Sequence, residues 1–385
     1  MTGLFIGLAA CALLLLAGRA AITVRDAELS DFRCFYEAAR LISHGNDPYD
    51  RATWIGATRQ DPARLPPCPE TFAYPLWTPI AMTPLAVLPE PTALALWEVV
   101  LIGCALGGVA LLSRTWRMVG GPRLLLLLVL GSQPLFSAIA NAQLGPVVFL
   151  GLAAVAFALE RGRARSAAAG WTLLLIKPNI VVLALAVLPI LARSRRFAAH
   201  VAVDAVVITS VSLAFVPTWP VDVVREILGQ RLLADPDLGT LSALAMVAGL
   251  PSSVGIVVSV VALSAFVAAL PRRRLRPREL VAAVAVASLL ITPYARPHDT
   301  VALAVCWAAA LATAGVVAPA ARRVTIAAVI GTAFVLPWAV TLASLFGAPL
   351  ALHVMTILTT AAVTAVALRW LGADARSVRA SAPLS

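Results

Sequence analysis

One aspartate, one lysine and a short charged motif are the residues of this sequence whose types and positions could do chemistry. Asp31 opens the segment DFRCFYEAAR, and Arg296, His298 and Asp299 stand together in TPYARPHD. Lys177, the single lysine of the chain, interrupts a long apolar run. A carboxylate can act as a general base, and cationic side chains can hold a phosphate group.

Asp31 has two interpretations from its position alone. Ser30 and Asp31 are both residue types that favour the position before a helix, where the side chain caps free backbone N–H groups. A carboxylate at the water-facing mouth of a cavity could instead take a proton from a hydroxyl group. The spacing does not decide between them, so a capping role and a catalytic role both stay open.

Lys177 needs a partner. An unpaired ammonium group inside an apolar membrane segment costs at least about 2.5 kcal/mol, even on the lenient insertion scale. We expect this partner to be the phosphate of a substrate, and the alternative is an internal carboxylate such as that of Asp204.

The motif TPYARPHD carries more ionisable groups than a link between two apolar runs requires. Asp299 could simply cap the following helix. The alternative is that Arg296, His298, Asp299 and Tyr294 belong to a functional site, with Tyr294 and Asp299 as candidate substrate contacts. The other candidate substrate contacts are Tyr49, Tyr74 and Gln143.

The composition identifies the kind of protein that positions these residues. Of 385 residues, 61% are hydrophobic and 13% are charged, against roughly 45–50% and 25% in soluble domains. Apolar runs recur along the chain, many of them near the roughly 20 residues that cross a bilayer. The sequence therefore predicts an all-α, polytopic membrane protein and excludes a soluble enzyme, a coiled coil and a disordered chain.

The net charge of +11 follows from membrane topology. Arginine clusters occur at alternate junctions between apolar runs, and the positive-inside rule places them in the cytoplasm. The clusters are at residues 114–123, 161–165, 193–196, 272–278, 322–323 and 369–379. Acidic residues gather in the other loops, so the charge gives no reason to invoke nucleic acid as a partner.

One irregularity in this charge pattern predicts a re-entrant hairpin. Both ends of the run Ala167–Ala192 carry arginines of the cytoplasmic type, although a simple span would put them on opposite sides. Lys177 and Pro178 interrupt the run, and a break at membrane depth is tolerated where protein buries it or where it lines a cavity. Counting the hairpin as two helices, we expect about twelve membrane helices in a single domain of residues 1–385.

Two extracytoplasmic loops are long, at residues 21–91 and 218–239. The first contains an amphipathic stretch, Phe32–Ile42, which we expect to lie along the membrane surface. It also holds Cys34 and Cys68, in a compartment that permits disulfides, so a bridge and two free thiols both stay open. Neither the cysteines nor the four histidines have metal-ligand spacing, and no metal or cofactor is expected.

The chain resembles glycosyltransferase family 87, a family of polytopic GT-C type enzymes, in the order of its motifs over nearly its whole length. These motifs are DFRCFYEAAR, GNDPY, YPLWTPIAMTPLAVLP, NAQLGP, AGWTLLLIKPN and TPYARPHD. Members of the family include the mannosyltransferases of phosphatidylinositol mannoside and lipomannan synthesis, which use polyprenyl-phosphate mannose.

The resemblance implies a GT-C fold whose cavity opens to the outer leaflet and the extracytoplasmic side of the cell membrane. It implies a polyprenyl-phosphate sugar as donor, most simply of mannose, and a glycolipid or glycan hydroxyl as acceptor. Asp31 then corresponds to the catalytic base, and Lys177, Arg296 and His298 correspond to groups around the donor phosphate. One base without a second, nucleophilic carboxylate suits inversion by direct displacement, most simply α-1,2-mannosyl transfer.

A transporter or flippase of a lipid-linked sugar is the alternative function. Intramembrane charges and broken helices also build transport pathways. Against a transporter, the sequence has no visible inverted repeat, and its polar residues concentrate on the outer side rather than at the midplane.

Overall fold

The computed structural model describes residues 30–59, 68–229, 238–270 and 275–380, which are mostly helical and contain no strand. The apolar run Thr2–Gly18, which the sequence predicts as the first spanning helix, lies outside these ranges. The α-helices are α1 Phe32–Ser43, α2 Arg51–Thr58, α3 Trp77–Met82, α4 Glu90–Thr115, α5 Gly121–Leu130, α6 Gln133–Ala140, α7 Gly145–Glu160, α8 Ala164–Leu174, α9 Val182–Leu191, α10 Arg195–Phe215, α11 Trp219–Gly229, α12 Leu241–Val247, α13 Ser252–Ala269, α14 Pro277–Ile291, α15 Ala304–Ala314, α16 Pro319–Ile330, α17 Leu336–Ser344 and α18 Val354–Ala380. The 3₁₀ segments are Pro178–Val181, Pro297–Leu303 and Leu350–His353, and α16 joins α17 through a π-helical segment, Gly331–Val335.

Five helices of the described chain are long and apolar enough to cross a membrane, which agrees with a multi-pass protein. They are Glu90–Thr115, Arg195–Phe215, Ser252–Ala269, Pro319–Ser344 and Leu350–Trp370. The pair α5 and α6, bent by 49°, makes a sixth if it is counted as one broken span. The total of about twelve membrane helices stays a prediction.

Two short helices form the centre of the helical bundle. Every side chain of α14 from Glu279 to Leu290 is buried, and so are nearly all those of α15. A helix that is apolar on all sides is buried by its neighbours. These two helices therefore pack inside the bundle although they are shorter than the spans around them.

Two of the spans turn apolar faces outward. Val203, Val206 and Val207 of α10 are more than half exposed, and so are several valines of α13. Large exposed apolar surfaces mark contact with lipid or another apolar partner. In a membrane protein these helices are the natural lipid-facing surface.

The described residues before α4, 30–59 and 68–88, pack as a second apolar cluster against the start of α4. The apolar side of the amphipathic stretch is buried in the protein, and its residues are Phe32, Phe35, Tyr36, Ala39 and Ile42. A disulfide joins Cys34 of α1 to Cys68, with 5.4 Å between the Cα atoms. The position of α1 relative to the membrane surface stays a prediction.

The chain reverses direction between α8 and α9, at the break predicted around Lys177 and Pro178. Trp171 of α8 donates a hydrogen bond from Nε1 to the carbonyl oxygen of Leu185 in α9, at 3.2 Å. In one continuous helix these residues would lie about 21 Å apart, at 1.5 Å per residue. The segment is therefore bent back at this break, and its re-entrant course in the membrane stays a prediction.

Candidate active site

A cavity of about 940 Å³ lies where the segment that contains α1 to α3 meets the links between later helices. Segments far apart in sequence contribute to it, among them the start of α1, the α6–α7 link and the α14–α15 link. Among the described residues that line it, the only carboxylate is that of Asp31 and the only guanidinium is that of Arg296. The cavity thus combines one candidate base with one permanent cation.

Asp31 receives a hydrogen bond from Gln143 in this cavity. The Nε2 atom of Gln143 lies 2.5 Å from Oδ2 of Asp31. Asp31 precedes α1, but its side chain caps no backbone N–H group of the helix. The capping interpretation of Asp31 is therefore wrong, and the carboxylate instead belongs to the polar wall of the cavity.

Behind Gln143 lies a buried ion pair. The ammonium group of Lys177 lies 2.8 Å from Oε1 of Gln143 and 2.6 Å from Oδ1 of Asp299. The side chains of Lys177 and Asp299 are 1% and 0% exposed, and neither lines the cavity. A hydrogen-bonded chain thus runs from Asp31 through Gln143 to a buried pair of opposite charges.

The lysine fixes which end of the Gln143 amide faces Asp31. An ammonium group has only donors, so it must meet the amide oxygen of Gln143. The amide NH₂ group then points to the carboxylate of Asp31, which needs a donor. Lys177 therefore orients Gln143 although Lys177 itself does not line the cavity.

Two side chains of α3 position Lys177 because they donate hydrogen bonds to the backbone carbonyl groups that precede it. The carbonyl oxygens of Leu175 and Ile176 lose their helical partners at the break. The first accepts a hydrogen bond from Nε1 of Trp77 at 2.7 Å, and the second accepts one from Oγ1 of Thr78 at 3.0 Å. Buried carbonyl groups need such partners, so α3 holds the tip of the hairpin.

Gln143 is positioned by an unusual backbone conformation. The preceding residue, Ala142, has a φ of 51°, in the left-handed region that L-residues other than glycine rarely adopt. Its carbonyl oxygen accepts a hydrogen bond from Nε1 of Trp97 at 2.9 Å. A Cβ atom at Gly145 would lie 2.7 Å from the carbonyl oxygen of His298, so glycine permits the close approach of the two motifs.

Residues of the motif TPYARPHD lie around the ammonium group of Lys177. Oδ2 of Asp299 accepts a hydrogen bond from the backbone N–H of Arg296 at 2.9 Å, so Asp299 caps its segment and also pairs with Lys177. Nε2 of His298 lies 3.5 Å from the ammonium nitrogen of Lys177. Nε of Arg296 donates to the hydroxyl of Tyr294 at 3.2 Å.

The three candidate tyrosines have different places. Tyr74 and Tyr294 line the cavity. Tyr49 lies behind Tyr74, and its hydroxyl donates to the carbonyl oxygen of Tyr74 at 2.5 Å. Burial raises the pKa of Tyr49, so its hydroxyl stays a neutral donor that supports Tyr74 from outside the cavity.

The internal partner suggested for Lys177 was the wrong one. Asp204 instead contacts Arg165 and lies 3.3 Å from Oγ1 of Thr172. The carboxylate next to Lys177 belongs to Asp299. The charged residues of TPYARPHD and the lysine of the hairpin thus belong to one cluster, although 122 positions separate Lys177 from Asp299.

Several cavity residues did not stand out in the sequence. They are Gln133, Ser137, Asn179, Thr341 and His353. The spacing of Gln133, Ser137 and Asn141 by four residues was a signal, because it puts three polar side chains on one face of a helix. Among the described residues, no group of three or more His, Cys, Asp and Glu side chains is arranged to hold a metal ion.

Comparison with known proteins identifies the family. Residues 72–293, more than half of the chain, match the sequence model of glycosyltransferase family 87. The matched region contains Gln143 and Lys177 and ends just before the charged part of TPYARPHD. No curated protein and no solved structure was found to match the chain. With a family match over most of its length and a multi-pass helical fold, the chain belongs to glycosyltransferase family 87 and is a glycosyltransferase of the membrane.

Proposed function

We propose that this protein transfers a hexose, most simply mannose, from a polyprenyl-phosphate donor to a hydroxyl group of a glycolipid or glycan. The observation that carries the proposal is a cavity whose described lining has one carboxylate, Asp31, and one guanidinium, Arg296. A single base and a single permanent cation are what direct displacement of a phosphate by a hydroxyl requires.

Asp31 is the general base of this reaction. The acceptor oxygen attacks the anomeric carbon of the donor sugar and gives its proton to the carboxylate of Asp31. The bond from the anomeric carbon to the phosphate oxygen breaks, and polyprenyl phosphate leaves with the electron pair. With no second carboxylate among the described lining residues to act as a nucleophile, the displacement takes place in one step and inverts the anomeric centre.

Gln143 and Lys177 position Asp31. The hydrogen bond from Gln143 occupies Oδ2 of Asp31 and leaves Oδ1 to accept the proton of the acceptor. Because Lys177 lies behind Gln143 and is fully buried, its role is to orient the amide rather than to hold the donor phosphate. This replaces the role that the sequence suggested for Lys177.

Arg296 and His298 hold the donor phosphate. Both line the cavity, and a guanidinium group binds phosphate oxygens through charge-assisted hydrogen bonds. The ammonium group of Lys177 faces Nε2 of His298, which favours the neutral ring with its proton on Nδ1. Nδ1 can then donate to the phosphate while negative charge grows on it.

An apolar part of the cavity suits the isoprenoid chain of such a donor. Its described residues come from α3, the hairpin and α11, and they are Trp77, Leu175, Pro178, Trp219, Pro220, Val223 and Val224. A polyprenyl group must stay in an apolar environment while its phosphate meets a cation. The arginine clusters elsewhere in the chain favour an orientation with this cavity on the extracytoplasmic side of the membrane.

The test measures sugar transfer by the purified full chain in lipid nanodiscs. The donor is radiolabelled polyprenyl-phosphate mannose, and the acceptor probe is octyl α-mannopyranoside. We expect labelled product from the wild-type protein, and we expect Asp31→Asn to lower kcat by about 10²–10⁴-fold, the usual contribution of a general base. The variant should stay folded, because the side chain caps no helix and asparagine still accepts a hydrogen bond.

Asp50→Asn is the matched control. Asp50 lies in the same outer loop, but its carboxylate caps α2 through the backbone N–H of Thr53 and does not line the cavity. Its activity should equal that of the wild type. If Asp31→Asn keeps more than about a tenth of wild-type kcat, Asp31 is not the base. If no polyprenyl-phosphate sugar is used at all, the proposed function fails.

A further inference from the structure

The described lining of the cavity differs in chemistry from one end to the other. The part next to α3 and α11 is apolar. The part formed by α6, α17 and the 3₁₀ segment Leu350–His353 is polar and carries no permanent charge, and its side chains are Gln133, Ser137, Asn141, Thr341 and His353. We call these five residues the polar end. None of them takes part in the base and phosphate roles described above.

Gln133 has an unused hydrogen-bonding atom in this polar end. Its side chain is 4% exposed, and its Oε1 atom has no hydrogen-bond partner. A buried amide oxygen without a partner is unfavourable. Since the residue lines the cavity, a ligand hydroxyl that donates to Oε1 would remove this cost.

The polar side chains of α6 form a continuous row. Gln133, Ser137 and Asn141 follow each other at intervals of four residues and all face the cavity. Nδ2 of Asn141 donates to the carbonyl oxygen of Ser137 at 2.8 Å, which turns its amide oxygen away from the helix. Asn141, at one end of the row, is two residues from Gln143, which bonds to Asp31.

The adjoining helix α17 and the segment Leu350–His353 add two further groups. Nε2 of His353 lies 3.3 Å from Oγ1 of Thr341, and His353 is almost fully buried. Helix α17 packs beside α6, with the rings of Phe136 and Trp338 5.5 Å apart. Hydroxyl, amide and imidazole groups therefore all line the polar end.

The chemistry of this end selects one class of ligand. Neutral donors and acceptors suit a molecule with several hydroxyl groups, whereas no permanent charge is present to bind an anion or a cation. A pyranose ring has hydroxyl groups in all directions around it. The whole cavity, at about 940 Å³, is at the upper end of the usual 300–1,000 Å³ range for ligand sites.

The geometry points to a sugar-binding subsite in the polar end, in which Gln133, Ser137 and His353 bind the hydroxyl groups of an uncharged hexopyranose. This inference rests on the proposed function for the source of the sugar, which is either the ring of the donor or a ring of the acceptor. The subsite explains why a polar row extends beyond the groups that the displacement itself requires.

The experiment combines ligand binding and kinetics on the full chain in nanodiscs. Saturation-transfer NMR with methyl α-mannopyranoside and with methyl α-glucopyranoside measures sugar binding without any reaction. We expect a signal from the wild type that Gln133→Leu and Ser137→Ala each reduce at least twofold.

Initial-rate kinetics should show KM raised about tenfold by Gln133→Leu, the scale of one lost hydrogen bond, with kcat changed less than KM. A rise in the KM of octyl α-mannopyranoside assigns the subsite to the acceptor, and a rise in the KM of the polyprenyl-phosphate sugar assigns it to the donor.

The control is Thr360→Val, a substitution of similar size at a buried polar residue of α18 that does not line the cavity. It should leave both readouts unchanged. Unaltered sugar signals and KM values in Gln133→Leu and Ser137→Ala, while transfer proceeds, would overturn the subsite and leave the proposed function standing. If sugar binding depends on Gln133 but the protein transfers no sugar, the subsite stands and the proposed function fails.

Discussion

The carboxylate of Asp299 and the ammonium group of Lys177 depend on each other in a way that a surface ion pair does not. Both side chains are out of contact with solvent, at 2.6 Å from each other. Removing two charges from water is expensive, so a buried pair adds little net stability, but breaking it leaves an uncompensated charge. The stability of a Lys177 variant therefore distinguishes a positioning role for Lys177 from a phosphate-binding role.

The first prediction concerns the substitution Lys177→Met. It leaves the buried carboxylate of Asp299 without its partner, so we expect the free energy of unfolding to fall by about 3–5 kcal/mol. The double variant Lys177→Met/Asp299→Asn removes both charges and keeps an acceptor for the backbone of Arg296, so it should recover most of this stability. It should not recover kcat, because the amide of Gln143 is no longer oriented. Thermal unfolding and initial rates in nanodiscs measure both quantities.

Arg165→Met provides the matched control for the loss of an ion pair. Arg165 contacts Asp204, but its side chain is 63% exposed, and exposed pairs contribute about 0–1 kcal/mol. A stable Lys177→Met variant that raises only the KM of the donor would contradict the positioning role. It would restore the interpretation that Lys177 holds the phosphate.

For single residues, the sequence identified the members of the site more accurately than it predicted their roles. Asp31, Gln143 and Lys177 stood out because ionisable and polar groups are rare in so apolar a chain. Their hydrogen bonds could not be predicted, since Gln143 and Asp31 are 112 positions apart and only the packing of α1 against the α6–α7 link brings them together. For the same reason Asp204, which lies nearer to Lys177 in sequence, was the wrong choice of partner.

Among the elements, the break in the hairpin shows how secondary structure serves the site. A continuous helix would satisfy the carbonyl groups of Leu175 and Ile176 internally. The break exposes them, and Trp77 and Thr78 supply donors from a segment 98 positions earlier. The sequence predicted the break from Lys177 and Pro178, but it could not predict donors so far away along the chain.

The prediction at the scale of elements is that Thr78→Val weakens this support. Thr78 is fully buried and donates to the carbonyl oxygen of Ile176. Valine has the same shape without the donor, so an unsatisfied carbonyl group should cost about 1–3 kcal/mol of unfolding free energy. We also expect a lower kcat, because Lys177 follows the freed carbonyl directly. Thermal unfolding and initial rates test both effects.

Thr83→Val is the matched control on the neighbouring turn. Its hydroxyl bonds only to the carbonyl oxygen of Ile80, three residues away, and this local bond can be replaced by water because the residue is partly exposed. We expect little change in stability or kcat. Equal losses in the two variants would show that the bond to Ile176 has no special part in holding the hairpin.

For the whole molecule, composition alone predicted a helical, multi-pass protein, and the helices agree with it. The burial of α14 and α15 at the centre was not predictable, because a helix inside a bundle and a helix in lipid are equally apolar in sequence. Burial by the surrounding helices is what distinguishes α14 and α15 from α10 and α13, whose valines are exposed. A count of apolar runs therefore does not translate directly into a count of membrane crossings.

The orientation of the whole chain gives the last prediction. Trp171 and Leu185 are bonded across the bend, so we expect Arg163 and Arg195 at the two ends of the segment to lie on the same side of the membrane, which the positive-inside rule makes cytoplasmic. Cysteine substituted at either position should resist a membrane-impermeant thiol reagent in intact cells and react after the cells are opened. His44→Cys, at the exposed end of α1, is the control that should react in both conditions. Labelling of only one arginine position in intact cells would mean that the segment crosses the membrane, and labelling of both would mean that the chain is inserted the other way round.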